Sequence, residues 1–218
     1  MIYKEWIKIR WILIGSVIAG LLVVAYMFMN IQRSITFSGA NNVWYGILFM
    51  NDQFFRLMKY IPLLIGIGIG VSQYFPETVS KRIKLTFHLP INENKALLLM
   101  LGFGVLSILT TFALHFVVYW ILSNYYFGSE ITIATLISIT PWFLSGLTAY
   151  FMVALIVLEP IWKFRILYTA AALMFVPLYL KSGMIGAYAT INVQLALLTL
   201  LISVSLLFSA YRFRKGEM

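Results

Sequence analysis

The chain contains no cysteine, and only 7 of its 218 residues are acidic. The absence of cysteine excludes disulfides, thiol catalysis and thiolate metal sites. Charged residues make up only 11% of the sequence, whereas roughly 25% is usual in a soluble domain. Because 62% of the residues are hydrophobic, there is too little polar surface to cover a globule exposed to water. The composition therefore indicates a membrane protein.

Several motifs that carry chemistry are also missing. No Gly-x-x-x-x-Gly-Lys-Ser/Thr sequence occurs, so the chain does not bind ATP by a P-loop. His88 and His115 lie on different segments, and no His-Glu-x-x-His is present, which leaves no recognisable metal site. Ser145-Gly146 lacks the preceding glycine of an intramembrane serine protease. We therefore expect no catalytic residue, bound cofactor or metal on this chain.

Six segments meet the requirement of roughly 20 mostly apolar residues for a membrane-spanning helix. No linker or second domain is visible, so residues 1–218 form one predicted domain of an all-α membrane protein. Pro177 predicts a kink in the fifth span. The spans are approximately residues 11–29, 53–75, 96–122, 133–158, 161–180 and 189–211.

Lysine and arginine predict the orientation of these spans. With the N-terminus inside the cell, cytoplasmic segments hold 12 of the 16 basic residues. The positive-inside rule then places both termini and residues 76–95 in the cytoplasm and the protein in the cytoplasmic membrane. The net charge of +9 is spread over four short segments, so we expect no nucleic-acid partner. The outer side retains Arg33, Arg56, Lys59 and Lys181.

Residues 1–10 form a polar N-terminal segment with helical periodicity. Ile2, Trp6 and Ile9 share one side of a helix, and Lys4 and Lys8 lie on the opposite side. This pattern fits an amphipathic helix in the cytoplasmic headgroup plane, and it fits equally a charged anchor for the first span.

Residues 76–95 form a polar, basic island between the second and third spans. Pro76 suits a helix start and Glu77 suits the first turn, where it can pair with Lys81 at i,i+4. Leu89-Pro90 ends this helix because proline cannot continue the hydrogen-bond ladder. The result is a short amphipathic helix suited to contact another protein. Its apolar side carries Val79, Ile83 and Phe87, and its polar side carries Lys81, Lys84 and His88.

Two basic residues and two glycines of the second span are further candidates. Arg56 and Lys59 either snorkel to the outer headgroups or form a basic ring at the mouth of a pathway for an anionic substrate. Gly66 and Gly70 form a Gly-x-x-x-Gly pair, which indicates close approach of another helix. Gly102 and Gly104 predict the same for the third span.

The third and fourth spans contain three more candidates. His115 is a functional candidate because ionisable residues are rare inside membranes, although a hydrogen bond to a neighbouring helix carbonyl is the simpler interpretation. Pro141 predicts a helix bend, and Ser145 predicts a helix contact or a pathway position.

The chain resembles a permease subunit of a type 2 ABC transporter. Tyr3-Lys-Glu-Trp-Ile-Lys-Ile-Arg10 resembles the amphipathic elbow helix of that family, and six spans with both termini inside match its layout. Residues 76–90 resemble the cytoplasmic coupling helix between spans two and three. Lys81-Arg82-Ile83 replaces the usual Gly-Thr after the glutamate, a variant similar to a subgroup associated with Bacteroidetes.

The resemblance implies an exporter subunit without enzymatic activity of its own. It would pair with a second permease copy or homologue, and two separate ABC ATPase subunits would bind the ATP and Mg²⁺. The coupling helix would dock into those subunits. The docking residues implied are Glu77, Val79, Lys81, Arg82, Ile83, Lys84, Phe87, Leu89 and Pro90.

Two other classes of function remain open at this point. One is the substrate-binding membrane component of a vitamin importer, which would need a polar outer pocket. The other is an intramembrane enzyme, which the missing motifs disfavour. The transported substrate is open among lipid, peptide, drug, glycan and metal-maturation factor.

The charge distribution generates a direct test of topology. Because the chain has no cysteine, a single cysteine at Asn92 should resist an impermeant thiol reagent in intact cells, and one at Asn42 should react. Permeabilising the cells should make the Asn92→Cys variant reactive, which controls for local accessibility. The reverse pattern in intact cells would contradict the predicted orientation.

Overall fold

The protein is an all-helical bundle. The computed structural model describes residues 2–79, 93–181 and 183–215, and no strand occurs in these ranges. A 3₁₀ turn, Arg56–Lys59, precedes the third α-helix. The α-helices are α1 Ile2–Ser38, α2 Ala40–Phe49, α3 Ile61–Val79, α4 Glu93–Tyr126, α5 Ser129–Leu158, α6 Trp162–Leu180 and α7 Asn192–Lys215.

Five helical segments are long and apolar enough to cross a membrane, which indicates a multi-pass membrane protein. The described apolar part of α7, Asn192–Leu206, is shorter than these five. The expectation of an all-α membrane protein is therefore confirmed at this level. The five segments are Ile2–Ser38, Arg56–Thr78, Leu97–Tyr126, Ser129–Leu158 and Trp162–Leu180.

Helix α5 forms the centre of the bundle. In its most apolar 18-residue stretch 72% of the residues are buried, compared with 6% in α6. It contacts α3, α4, α6 and α7. Helix α1 contacts α3 and α4. The interior of the bundle is thus filled by a helix, and α6 lies at its edge.

Glycines allow α3 and α5 to cross at backbone contact. A Cβ added at Gly66 would collide with the carbonyl oxygen of Gly146, and one added at Gly146 would collide with that of Pro62. Gly70 packs on Val153 and Tyr150. Small residues let helices in a membrane approach closely, so the sequence pattern at residues 66 and 70 does correspond to a helix contact.

The N-terminal segment differs from the expected elbow. Helix α1 begins at Ile2 and continues without a break to Ser38, so residues 2–10 are its first turns and not a separate surface helix. Glu5 and Ile9 are buried, at 2% and 0% exposure. The segment is held in the bundle because its charged side chains have buried polar partners on α3.

The start of the basic island, residues 76–79, also differs from expectation. Pro76 lies inside α3, which runs on to Val79, so it does not begin a new helix. Its fixed φ is compatible with the helix, but it cannot donate a hydrogen bond to the carbonyl of Ser72, so this turn lacks one bond of the helix ladder. Residues 40–49, between the first two predicted spans, form the additional helix α2.

The crossing of α3 and α5 generates a prediction about stability. Gly66→Ala should lower the stability of the purified protein by about 1–3 kcal/mol, because the added methyl group overpacks a backbone contact. A Cβ at Gly102 meets no atom within 4 Å, so Gly102→Ala on α4 is the matched control and should not destabilise; it should stabilise by up to about 1 kcal/mol because alanine favours the helix. Thermal unfolding in detergent measures both, and equal effects would contradict the predicted contact.

Candidate functional site

Seven polar side chains from three helices meet at the end of the bundle where α3 ends at Val79 and α4 begins at Glu93. We call them the basal network. Two of its members are carboxylates and two are lysines, so its formal charges balance. The members are Lys4, Glu5 and Lys8 of α1, Gln73, Tyr74 and Glu77 of α3, and Tyr150 of α5, while α4 contributes a main-chain acceptor.

Glu77 is the ionic centre of the basal network. Its Oε1 atom lies 2.8 Å from Nζ of Lys4 and 2.9 Å from Nζ of Lys8, and its side chain is only 2% exposed. Nζ of Lys8 also donates to Oε1 of Glu5 at 2.6 Å. Because positions 4, 5 and 8 recur on one side of a helix, the start of α1 presents all three charges to the end of α3.

Gln73 extends the ionic centre into the bundle. Its Nε2 donates to Oε2 of Glu5 at 3.0 Å and to the carbonyl oxygen of Met100 on α4 at 2.7 Å. Its Oε1 accepts a hydrogen bond from the hydroxyl of Tyr150 on α5 at 2.9 Å. One fully buried amide therefore joins α1, α3, α4 and α5.

Two tyrosines and one glycine complete the arrangement. The hydroxyls of Tyr74 and Tyr150 lie 2.9 Å apart, and both side chains are fully buried. A Cβ added at Gly104 of α4 would collide with the Tyr150 hydroxyl and with Oε1 of Gln73. The absent side chain of Gly104 thus provides the space that the tyrosine and the amide occupy.

The energetics of burial make the basal network a structural junction. Charges removed from water persist only when they are paired and hydrogen-bonded. Moving α1 away from α3 would separate Lys8 from Glu77 and Glu5 from Gln73. The pairing suits these groups to hold helices together.

No family model, curated protein or solved structure matches this chain. The basal network must therefore be interpreted from its own chemistry and from its position next to residues 80–92.

The structure buries Glu77, while its expected role in docking stays a prediction. It is buried and paired with lysines of α1, which is possible because α3 continues through Pro76 and turns Glu77 inward. Val79 is the last residue of α3, and its side chain is not described. The other expected docking residues lie outside the described residues: Lys81, Arg82, Ile83, Lys84, Phe87, Leu89 and Pro90.

The two basic candidates of the second span lie apart from the basal network. Arg56 is exposed and Lys59 is half-buried in the turn that precedes α3. Nζ of Lys59 lies 5.4 Å from the ring centroid of Tyr60. This end of α3 is opposite to the end that carries Glu77.

His115 contacts a neighbouring helix, as the simpler interpretation expects. Its ring is fully buried, and its Nε2 lies 3.3 Å from the carbonyl oxygen of Val17 on α1. A Cβ at Gly20 would collide with the imidazole, so α1 has a glycine where the histidine packs.

Pro141 and Ser145 are buried positions of the central helix. The hydroxyl of Ser145 donates to the carbonyl oxygen of Trp142 at 2.5 Å, within α5 itself. Both residues therefore serve helix geometry and packing among the described residues.

Sequence reasoning missed four members of the basal network: Glu5, Gln73, Tyr74 and Tyr150. A signal was present, because Gln73 and Glu77 are four residues apart on α3 and Glu5 and Lys8 are three apart on α1. Polar and ionisable side chains next to a membrane span usually face a protein partner. Two such pairs, one on each helix, predict that α1 and α3 contact each other.

The ionic centre generates a prediction about stability. Glu77→Gln keeps the shape of the side chain but removes its charge, leaving Lys8 with one counter-ion. The free energy of unfolding should fall by about 3 kcal/mol, which is the lower end of the range found when one partner of a buried ion pair is removed. Unfolding by denaturant in detergent measures the change.

The matched control is Glu130→Gln, because Glu130 is an exposed carboxylate in the first turn of α5. Its effect should stay within about 0.5 kcal/mol, as is usual for surface substitutions. If both variants were equally stable, Glu77 would not be the paired, buried group described here.

Proposed function

We propose that this chain is the permease subunit of an ATP-driven ABC-type exporter in the cytoplasmic membrane. In this proposal α7 is the sixth span and both termini are cytoplasmic. The observation that carries it is the basal network, a buried polar junction of four helices directly next to the basic segment 80–92. A force applied to that segment would act on α3 within three residues of Glu77.

Energy coupling would then follow the bonds of the basal network. A separate ATPase subunit, holding ATP and Mg²⁺, would dock on residues 80–92 through the apolar and basic residues that the sequence analysis predicts to lie on a coupling helix. Its movement would displace Glu77, and the ion pairs to Lys4 and Lys8 would carry α1 along. Gln73 would pass the displacement to α4 and α5. Nucleotide would thereby bias a two-state arrangement of helices.

A second permease copy or homologue is part of the proposal. Helix α5 fills the centre of the bundle, so a pathway for substrate would form between two subunits and not through one. This agrees with the dimeric arrangement that the family resemblance implies. The predicted assembly contains two permeases and two ATPases.

The docking segment generates the central test of this proposal. Ile83→Asp would place a carboxylate in the apolar groove of the ATPase, and an unpaired buried charge costs several kcal/mol. Since about 1.4 kcal/mol is tenfold in affinity, association should weaken by roughly 100-fold or more. Co-purification of the ATPase with the tagged permease measures this, and Ile83→Leu is the matched control.

Membrane levels of the Ile83→Asp variant should stay normal, because residue 83 lies outside the membrane spans. Loss of the ATPase from Ile83→Asp with retention by Ile83→Leu is the expected result. Full retention of the ATPase and of substrate-stimulated hydrolysis by Ile83→Asp would overturn the assignment as a transporter subunit.

A further inference from the structure

A groove of about 680 Å³ lies between the end of α3 and the first half of α6, beside the basal network. Its walls differ in character along its length. Trp162 and Arg165 line it at the start of α6, and Ala170 and Leu173 line it as an apolar trough one to two turns further along that helix, with Phe75 and Ile156 as further apolar lining.

Arg165 is held in place at the polar end of the groove. Its Nε donates to the carbonyl oxygen of Glu159 at 2.7 Å, and its guanidinium carbon lies 5.8 Å from the ring centroid of Trp162. The bond to Glu159 uses one of the five N–H groups of the guanidinium. The side chain is half-buried, so the positive charge is fixed within the groove and does not extend freely into water.

The first turn of α6 adds to the positive character of this end. The helix begins at Trp162, and its N-cap residue, Ile161, makes no side-chain capping bond. Free backbone N–H groups and the helix dipole favour an anion at such a terminus. Lys163 and Arg165 further outnumber Glu159 in this stretch of the sequence.

The apolar trough opens toward the bilayer. Leu173 is 72% exposed and Ile166 is 59% exposed, and only 6% of the α6 stretch is buried. Trp162 is also exposed, as tryptophans at the boundary of a bilayer are. The groove therefore runs from the headgroup level into the hydrocarbon region, on the same side as the basal network.

We propose that this groove binds one anionic phospholipid of the leaflet next to the basal network. The phosphate contacts Arg165 and the N-terminus of α6, and one acyl chain lies along Ala170 and Leu173. A lipid fits because the groove places one fixed cation, Arg165, beside exposed apolar side chains such as Leu173, which matches an anionic headgroup joined to an acyl chain. The bound lipid fills the gap between α3 and α6 at the level where residues 80–92 depart.

The test uses the purified full-length protein in mild detergent, titrated with phosphatidylglycerol or with phosphatidylcholine and observed by native mass spectrometry. Wild type should retain one phosphatidylglycerol in preference to phosphatidylcholine. Arg165→Gln should weaken phosphatidylglycerol binding about fivefold, as expected for one cation near an anionic headgroup. Lys181→Gln removes the same charge at the exposed opposite end of α6, and it should have no effect.

A second variant tests the trough without changing the charge. Ala170→Phe should reduce retention of phosphatidylglycerol because the ring occupies the path of the acyl chain. Equal retention by Arg165→Gln and Lys181→Gln, or no preference over phosphatidylcholine, would overturn the proposal. So would unchanged lipid binding by Ala170→Phe together with a changed oligomeric state, which would identify a second copy as the occupant. Displacement of the lipid by an equal concentration of inorganic phosphate would also overturn it, by showing a site for the anion alone.

Discussion

The ion pairs of Glu77 with Lys4 and Lys8 are the interaction on which the arrangement of α1 and α3 depends. In the low dielectric beside a membrane, separating these charges costs far more than it does in water. The pairs fix the start of α1 against the end of α3 across about seventy residues of sequence. The hydrogen bonds of Gln73 to Glu5 and Met100 follow from that placement, because the amide lies one turn before Glu77 on α3.

The basal network also requires close backbone approach elsewhere in the bundle. Tyr150 reaches Gln73 because α3 and α5 touch at Gly66 and Gly146, which brings the next turns of both helices together. Gly104 then leaves room on α4 for the tyrosine hydroxyl. Apolar crossings and polar bonds thus depend on each other: a larger residue at a crossing would lengthen hydrogen bonds that lie a turn away.

The sequence predicted the apolar helices, the contacts of Gly66 and Gly70 and the interhelical bond of His115, because each depends on local composition or spacing. It did not predict the partners of Glu77. Periodicity reveals neighbours on the same helix, so Lys81 was the natural counter-ion, whereas the structure pairs Glu77 with Lys4 and Lys8 of another helix. For the same reason the sequence does not distinguish a surface helix from a charged anchor at residues 2–10, whereas the bond of Glu5 to Gln73 shows that this segment packs in the bundle.

The bonds between helices divide the bundle into two parts with different attachments. Helices α1, α3, α4 and α5 share charges and a buried amide, whereas α6 and α7 join α5 through hydroxyls, with Thr199 3.0 Å from both Thr148 and Tyr179. Neutral hydrogen bonds are roughly half as strong as charge-assisted ones. Helix α6 is also the least buried of the five apolar segments. We therefore expect the easiest relative movement within the bundle to be that of α6 and α7 against α1, α3, α4 and α5, and the groove beside Arg165 lies along this boundary.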